Sequence, residues 1–136
     1  MIFIDSGAFI GRYLQDDQYF SSTVRTWDEL TRDRERLATS NFVLDEVFTQ
    51  LARRAGYPFA ADKARRIYSA RSVLILRPSE DHERMALDYF EKYADQRVSF
   101  TDCISFALMR THRIQRVFTF DRHFRLAGFV TVPAVA

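Results

Sequence analysis

The sequence predicts an α/β protein: a three-layer α/β/α sandwich around a central, mainly parallel sheet. Short, continuous apolar runs at residues 1–4, 73–76 and 117–120 read as strands buried on both faces. Segments with helical patterning separate them, and parallel strands need crossovers of that kind. Only four Gly and three Pro punctuate the 136 residues, without a repeat, low-complexity segment or linker, so one globular domain is expected over residues 1–136.

The first strand, residues 1–4, stops at Asp5-Ser6-Gly7 and leaves Asp5 at its carboxyl end. Residues 8–14 and 18–36 have helical composition, with Tyr19, Val24, Trp27 and Leu30 as an apolar stripe, which suggests a helical hairpin. Residues 37–40 form a brief strand. Asn41 is then the expected N-cap of a helix over residues 42–55 that Gly56 stops. Glu46 lies in that helix, beside the stripe of Val43, Val47 and Leu51. Pro58 starts the next helix, to about residue 70, and residues 73–76 give a second buried strand. Ser79 opens a helix to about residue 94, whose early acids Glu80, Asp81 and Glu83 suit the positive end of the helix dipole. Ser99 or Thr101 caps the helix that carries Asp102, Ile104, Phe106 and Leu108. The strand at residues 117–120 ends at Asp121, and a last strand, residues 129–132, precedes Pro133.

The chain is 47% hydrophobic and holds thirteen Phe, enough for one sizeable core. No run approaches the roughly 18 to 20 apolar residues that span a bilayer, so no membrane crossing is expected. The opening residues lack a basic region followed by a long apolar segment, which makes the cytoplasm the expected compartment. The lone Cys103 cannot form an internal disulfide and reads as a buried structural thiol. A net charge of +2 does not announce a nucleic-acid binder, but residues 53–71 carry six cations against the single acid Asp62. Arg53, Arg54, Arg65 and Arg66 in that stretch are the candidate contacts to an anionic polymer such as RNA.

Several chemistries are excluded by missing motifs. His82, His112 and His123 lack the His-Glu-x-x-His spacing of zinc proteases and read as structural or superficial. Phosphate-cradling glycine loops and the Gly-x-Ser-x-Gly nucleophile elbow are absent. What remains is a set of carboxylates. Asp5 and Asp121 directly follow strands, Asp102 sits at a helix start, and Glu46 flanks a buried stripe. Ligands in open α/β sheets bind beyond the strands' carboxyl ends, so the four are expected on one rim. Carboxylates gathered there repel and raise one another's pKa unless a cation neutralises them, and oxygen-only ligands point to Mg²⁺ or Mn²⁺. Such an ion polarises a phosphoryl oxygen and activates water, which makes phosphodiester hydrolysis the natural reaction. Spacing does not say whether one ion or two act. Asp16-Asp17 and Asp28-Glu29 lie away from any strand end, whereas Asp45 adjoins Glu46 and is the serious decoy.

At these residues the sequence resembles the PIN-domain family, especially the VapC-type toxins of prokaryotic toxin–antitoxin pairs. Ile2-Phe3-Ile4-Asp5-Ser6 is similar to the family's opening strand and first acid, and Thr39-Ser40-Asn41-Phe42-Val43-Leu44-Asp45-Glu46 to its second motif, with Glu46 as the acid. Residues 99–105 resemble the third motif around Asp102, and residues 117–124 the fourth, with Asp121. The resemblance implies a PIN fold, divalent-metal ribonuclease activity, a homodimer, and inhibition by a small antitoxin whose tail enters the site. It also implies that Ser6 and Thr119 support the acids by hydrogen bonds. Ser6-Gly7 departs from the Thr- or Asn-rich opening more usual after the first acid, without removing a ligand. Two other roles are compatible with the resemblance: a non-catalytic protein-interaction module on the same fold, and a housekeeping RNA-processing nuclease. Relatives that cut DNA flaps usually carry helical insertions that this short chain lacks, which favours RNA.

Overall fold

A computed structural model describes residues 1–134. Five parallel strands, β1 (Ile2–Ile4), β2 (Leu37–Ser40), β3 (Val73–Leu76), β4 (Arg116–Phe118) and β5 (Val130–Val132), make a sheet in the order β3-β2-β1-β4-β5. Seven helices connect them: α1 (Ser6–Tyr13), α2 (Phe20–Arg32), α3 (Asn41–Ala55), α4 (Tyr57–Ser69), α5 (Glu80–Lys92), α6 (Phe100–Thr111) and α7 (His123–Leu126). The result is the three-layer α/β/α sandwich expected from the sequence.

From β1 the chain builds outward through β2 to β3, then returns across the sheet to add β4 and β5 on the other side of β1. Strand order therefore reverses between β1 and β4, which opens a crevice beyond their carboxyl ends. Ile4 is in register with Phe118 in that pair, and the Asp5 N–H donates to Phe118 O at 3.0 Å. Residues that follow these two strands are therefore held side by side.

Ile2, Phe3, Ile4, Val117 and Phe118 are wholly buried, as central strands covered on both faces must be. Strand β3 departs from the expected buried pattern, because it lies at the sheet edge with only β2 beside it and leaves Leu74 51% exposed. The hairpin of α1 and α2 forms, with α1 starting two residues earlier than expected and α2 shorter at both ends, and Trp27 of α2 donates its indole N–H to Ala8 O at 2.9 Å. Gly11 makes the close approach of α1 to Thr23 of α2 feasible. Ser40, not Asn41, caps α3: its extended backbone lets Oγ accept the Val43 N–H at 3.1 Å, while Asn41 is already helical. Ser99 rather than Thr101 caps α6, accepting from the Asp102 N–H.

Candidate active site

Asp5 leaves the end of β1 at the start of α1, almost wholly buried, and its Oδ2 accepts the Thr119 hydroxyl at 2.7 Å. Thr119 follows β4, and its Oγ1 accepts the Asp121 N–H at 3.0 Å. One hydroxyl thus joins two acids from neighbouring strands. Strand β4 ends at Phe118, two residues before the expected end, although the Thr119 N–H still donates to Val132 O of β5 at 3.1 Å. Asp121 Oδ1 accepts the His123 N–H at 2.9 Å, a local turn that starts α7. Asp102 enters from the first turn of α6, which Ser99 positions, and Glu46 from α3, with Gln50 reaching Glu46 Oε1 at 3.4 Å. A second threonine, Thr39 of β2, donates to Ile4 O at 2.8 Å and fixes the strand end from the other side.

All four sequence-predicted acids, with Ser6, line one cleft of about 410 Å³. Burial pushes the Asp5 carboxyl up to about 6, against the opposing pull of Thr119 and the Ser6 backbone, with the charges of Asp121 and Glu46 adding to the rise. Asp102 goes further, to about 9, through burial first and then the charges of Asp5 and Asp121, its hydrogen bond with Asp121, and Glu46. Glu46 is raised as well, by burial and by Asp121 and Asp45, with the Ser6 hydroxyl opposing. Burial, with Asp102 behind it, holds the Cys103 thiol up at about 11, as an inert structural thiol requires. Asp45 is exposed and absent from the cleft lining, as a decoy should be.

His123, read from sequence as structural or superficial, lines the same cleft as the four acids. Its Nδ1 lies 3.1 Å from Asp121 Oδ1 and 3.7 Å from Asp102 Oδ2. Despite that proximity, Nδ1 is buried without a hydrogen-bond partner, the Asp102 oxygen being too far away for one. Ligand atoms of Asp102, Asp121 and His123 all fall within 4.8 Å of one another. The spacing Asp-x-His was the available signal, since an Asp that accepts the N–H two residues on brings that residue's side chain to its own flank.

Of the four candidate arginines only Arg54 lines the cleft; Arg53, Arg65 and Arg66 do not. Arg54 is held by Asp17 at 2.9 Å and by Asp16 at 3.5 Å. Asp17, set aside on sequence as distant from any strand end, therefore reaches the site from the α1–α2 connection. Arg97 also lines the cleft, and among the described residues no carboxylate lies within ion-pair distance of it. Arg97 lies two residues before the Ser99 cap, so it comes to the cleft with the turn that leads into α6 and Asp102.

The PIN domain family model matches residues 2–130. The 23S rRNA-specific endonuclease VapC20 of Mycobacterium tuberculosis, from strains CDC 1551 / Oshkosh and H37Rv, is 33% identical over 132 residues, which span 97% of this chain and 98% of that one. The crystal structure of M. tuberculosis VapC20, a Sarcin-Ricin loop cleaving toxin, is similar at a TM-score of 0.87 and 30% identity, covering 96% of this chain and 97% of that one. With four acids gathered in one cleft and a family match running nearly end to end, this chain belongs to the PIN-domain family.

Proposed function

We propose that residues 1–136 act as one nuclease domain, a divalent-metal-dependent endoribonuclease that hydrolyses RNA phosphodiester bonds as the toxin of a type II toxin–antitoxin pair. The observation that carries this reading is the convergence of Asp5, Glu46, Asp102 and Asp121, from four separate segments, on one cleft of a chain that aligns along 97% of its length with an rRNA endonuclease.

The residues fit a cation. Burial first, and then neighbouring charge, raise the carboxyls of Asp5, Glu46 and Asp102, so the cluster is short of positive charge, and the orphaned, buried Nδ1 of His123 lies beside Asp121 and Asp102. Asp5, Glu46, Asp102 and Asp121 would hold Mg²⁺ or Mn²⁺, with His123 as a further donor. When bound, the ion neutralises charge on the scissile phosphate and makes water a better nucleophile at neutral pH. The chain's own part is positional. Thr119 aims the Asp5 carboxylate, Ser6 supports Glu46, and Ser99 fixes the helix turn that presents Asp102. Burial and the neighbouring acids hold the Asp102 carboxyl up at about 9, so it would give up a proton on taking a cation. Arg54 and Arg97 supply cations to the phosphate backbone at the cleft, whereas Arg53, Arg65 and Arg66 would meet only flanking RNA.

A small antitoxin whose tail enters the cleft would deny it to RNA, and a homodimer and a cytoplasmic setting complete the reading. No helix among the described residues is long and apolar enough to cross a membrane. Incubation with total RNA and Mg²⁺, Mn²⁺ or chelator tests the activity: discrete products that need the metal and vanish in Asp5→Asn support it. Absence of cleavage above Asp5→Asn in either metal would shift the assignment to a non-catalytic interaction module. A neighbouring gene for a short DNA-binding antitoxin separates the toxin role from housekeeping RNA processing.

A further inference from the structure

A column of aromatic rings climbs from the core to the rim of the acidic cleft. Trp27 contacts Phe118 at 5.5 Å between centroids, Phe118 meets Phe120 edge-on at 6.1 Å, and Phe120 stacks on Tyr19 at 4.2 Å with the planes only 2° apart. Trp27 and Phe118 are buried, Phe120 is half-buried, and Tyr19, the last plate, is 38% exposed. Phe120 immediately precedes Asp121, and both rings of the stacked pair line the cleft that holds the four acids. The outer plate is also fixed from below. The Tyr19 N–H donates to Asp17 Oδ2 at 3.1 Å, and Asp17 Oδ1 accepts Arg54 Nη1 at 2.9 Å.

A tyrosine that only completed the core would be buried, and one that only solvated the loop would not lie parallel to a second ring. Here a π-face stands beside the acids in a cleft whose lining also includes Arg97, a cation with no carboxylate at ion-pair distance among the described residues, and Arg54, which Asp17 and Asp16 hold. Flat aromatic faces next to phosphate-binding cations recognise unstacked nucleobases, because every base has a π-face and the ordering cost is prepaid by the rigid ring. We propose, on the basis of the RNA-nuclease reading above, that the Tyr19–Phe120 stack is the platform on which a nucleobase flanking the scissile phosphate lies. The substrate class follows. A base lying flat on Tyr19 has left its own helix, so the platform takes an unpaired, extruded nucleotide rather than one stacked within a continuous duplex.

The test uses an oligoribonucleotide spanning a bond that the wild-type protein cuts, with 2-aminopurine at the flanking nucleotide, both as a loop and annealed into a full duplex. Binding to the Asp5→Asn protein should quench the probe in the loop RNA and not in the duplex. Adding Tyr19→Ala should abolish the quench and weaken binding roughly tenfold or more. In the otherwise wild-type protein, Tyr19→Ala should raise KM far more than it lowers kcat. Tyr19→Phe should behave as wild type. Tyr19→Leu separates the two roles of the ring: it keeps an apolar cover over Phe120 without a π-face, so it should fail as Tyr19→Ala does. Full function in Tyr19→Leu, or unchanged quenching in Tyr19→Ala, would overturn the platform and leave the nuclease reading intact. If wild type cuts no RNA under any metal condition, the nuclease reading falls and the platform falls with it.

Discussion

The Thr119 hydroxyl donates to the Asp5 carboxylate at 2.7 Å, across the two strands between which the sheet order reverses. The same oxygen accepts the Asp121 N–H, so one small side chain sets the spacing of two acids and satisfies a buried charge. Thr119→Val keeps the shape and removes both bonds. It should cost about 1–3 kcal/mol of stability in chemical denaturation and lower cleavage, while Thr119→Ser should restore most of both. Equal stability of the Val and Thr forms would show that the bond holds nothing together.

The raised carboxyls make the metal-free protein sensitive to alkali. Unfolded, Asp5 and Asp102 ionise from their ordinary value of 3.8; folded, Asp5 keeps its proton to about 6 and Asp102 to about 9. Through that window the folded state binds more protons than the unfolded one, so stability falls as pH rises. The fall should be steeper up to about 6, where both acids contribute, and shallower from there to about 9. Saturating Mg²⁺ or Mn²⁺ should remove it, and Asp102→Asn should flatten the upper part while impairing cleavage. Denaturant melts across pH in chelator check the sign; stability that rises with pH would contradict it.

His123 Nδ1 distinguishes a ligand from an orienting neighbour. Imidazole favours transition metals over Mg²⁺, so His123→Ala should lower Co²⁺ affinity roughly tenfold and Mg²⁺ affinity less. Calorimetric titration of both ions measures the difference, and an equal loss for both would assign His123 to positioning Asp121.

Gly11 lets α1 and α2 touch. A Cβ there would collide with Thr23 Oγ1 and come within 3.2 Å of Thr23 Cβ, on a residue that is wholly buried. Gly11→Ala should therefore destabilise by about 1–3 kcal/mol despite its better helix propensity. Thr23→Ala opens the space and should rescue it in a double-mutant cycle; additive losses would deny the contact.

Much of the site was legible in the sequence because its acids sit at punctuation points. Apolar strands that stop abruptly at Asp5 and near Asp121, and a serine cap three residues before Asp102, carry their positions in local pattern alone. Glu46 was separable from its neighbour Asp45 only through the resemblance to the family's second motif, not through local pattern; the structure leaves Asp45 exposed. Strand β3 shows where local pattern misleads: Val73-Leu74-Ile75-Leu76 looks doubly buried, yet whether a strand is central or at an edge is decided by topology. The same applies to Asp17 and the Tyr19–Phe120 stack. Each joins the cleft through contacts between segments far apart in the chain, which no residue pattern encodes.

The most direct test of four acids acting as one metal centre is calorimetric titration of Mn²⁺, paired with single-turnover RNA cleavage. It should be run on wild type, Asp5→Asn, Glu46→Gln, Asp102→Asn, Asp121→Asn and the neighbouring control Asp45→Asn. The four site variants should each lose tenfold or more in metal affinity, roughly the scale of removing a metal-site partner, and lose cleavage with it, while Asp45→Asn stays as wild type. Wild-type protein that binds no Mn²⁺, or an Asp45→Asn loss equal to that of Glu46→Gln, would contradict the account.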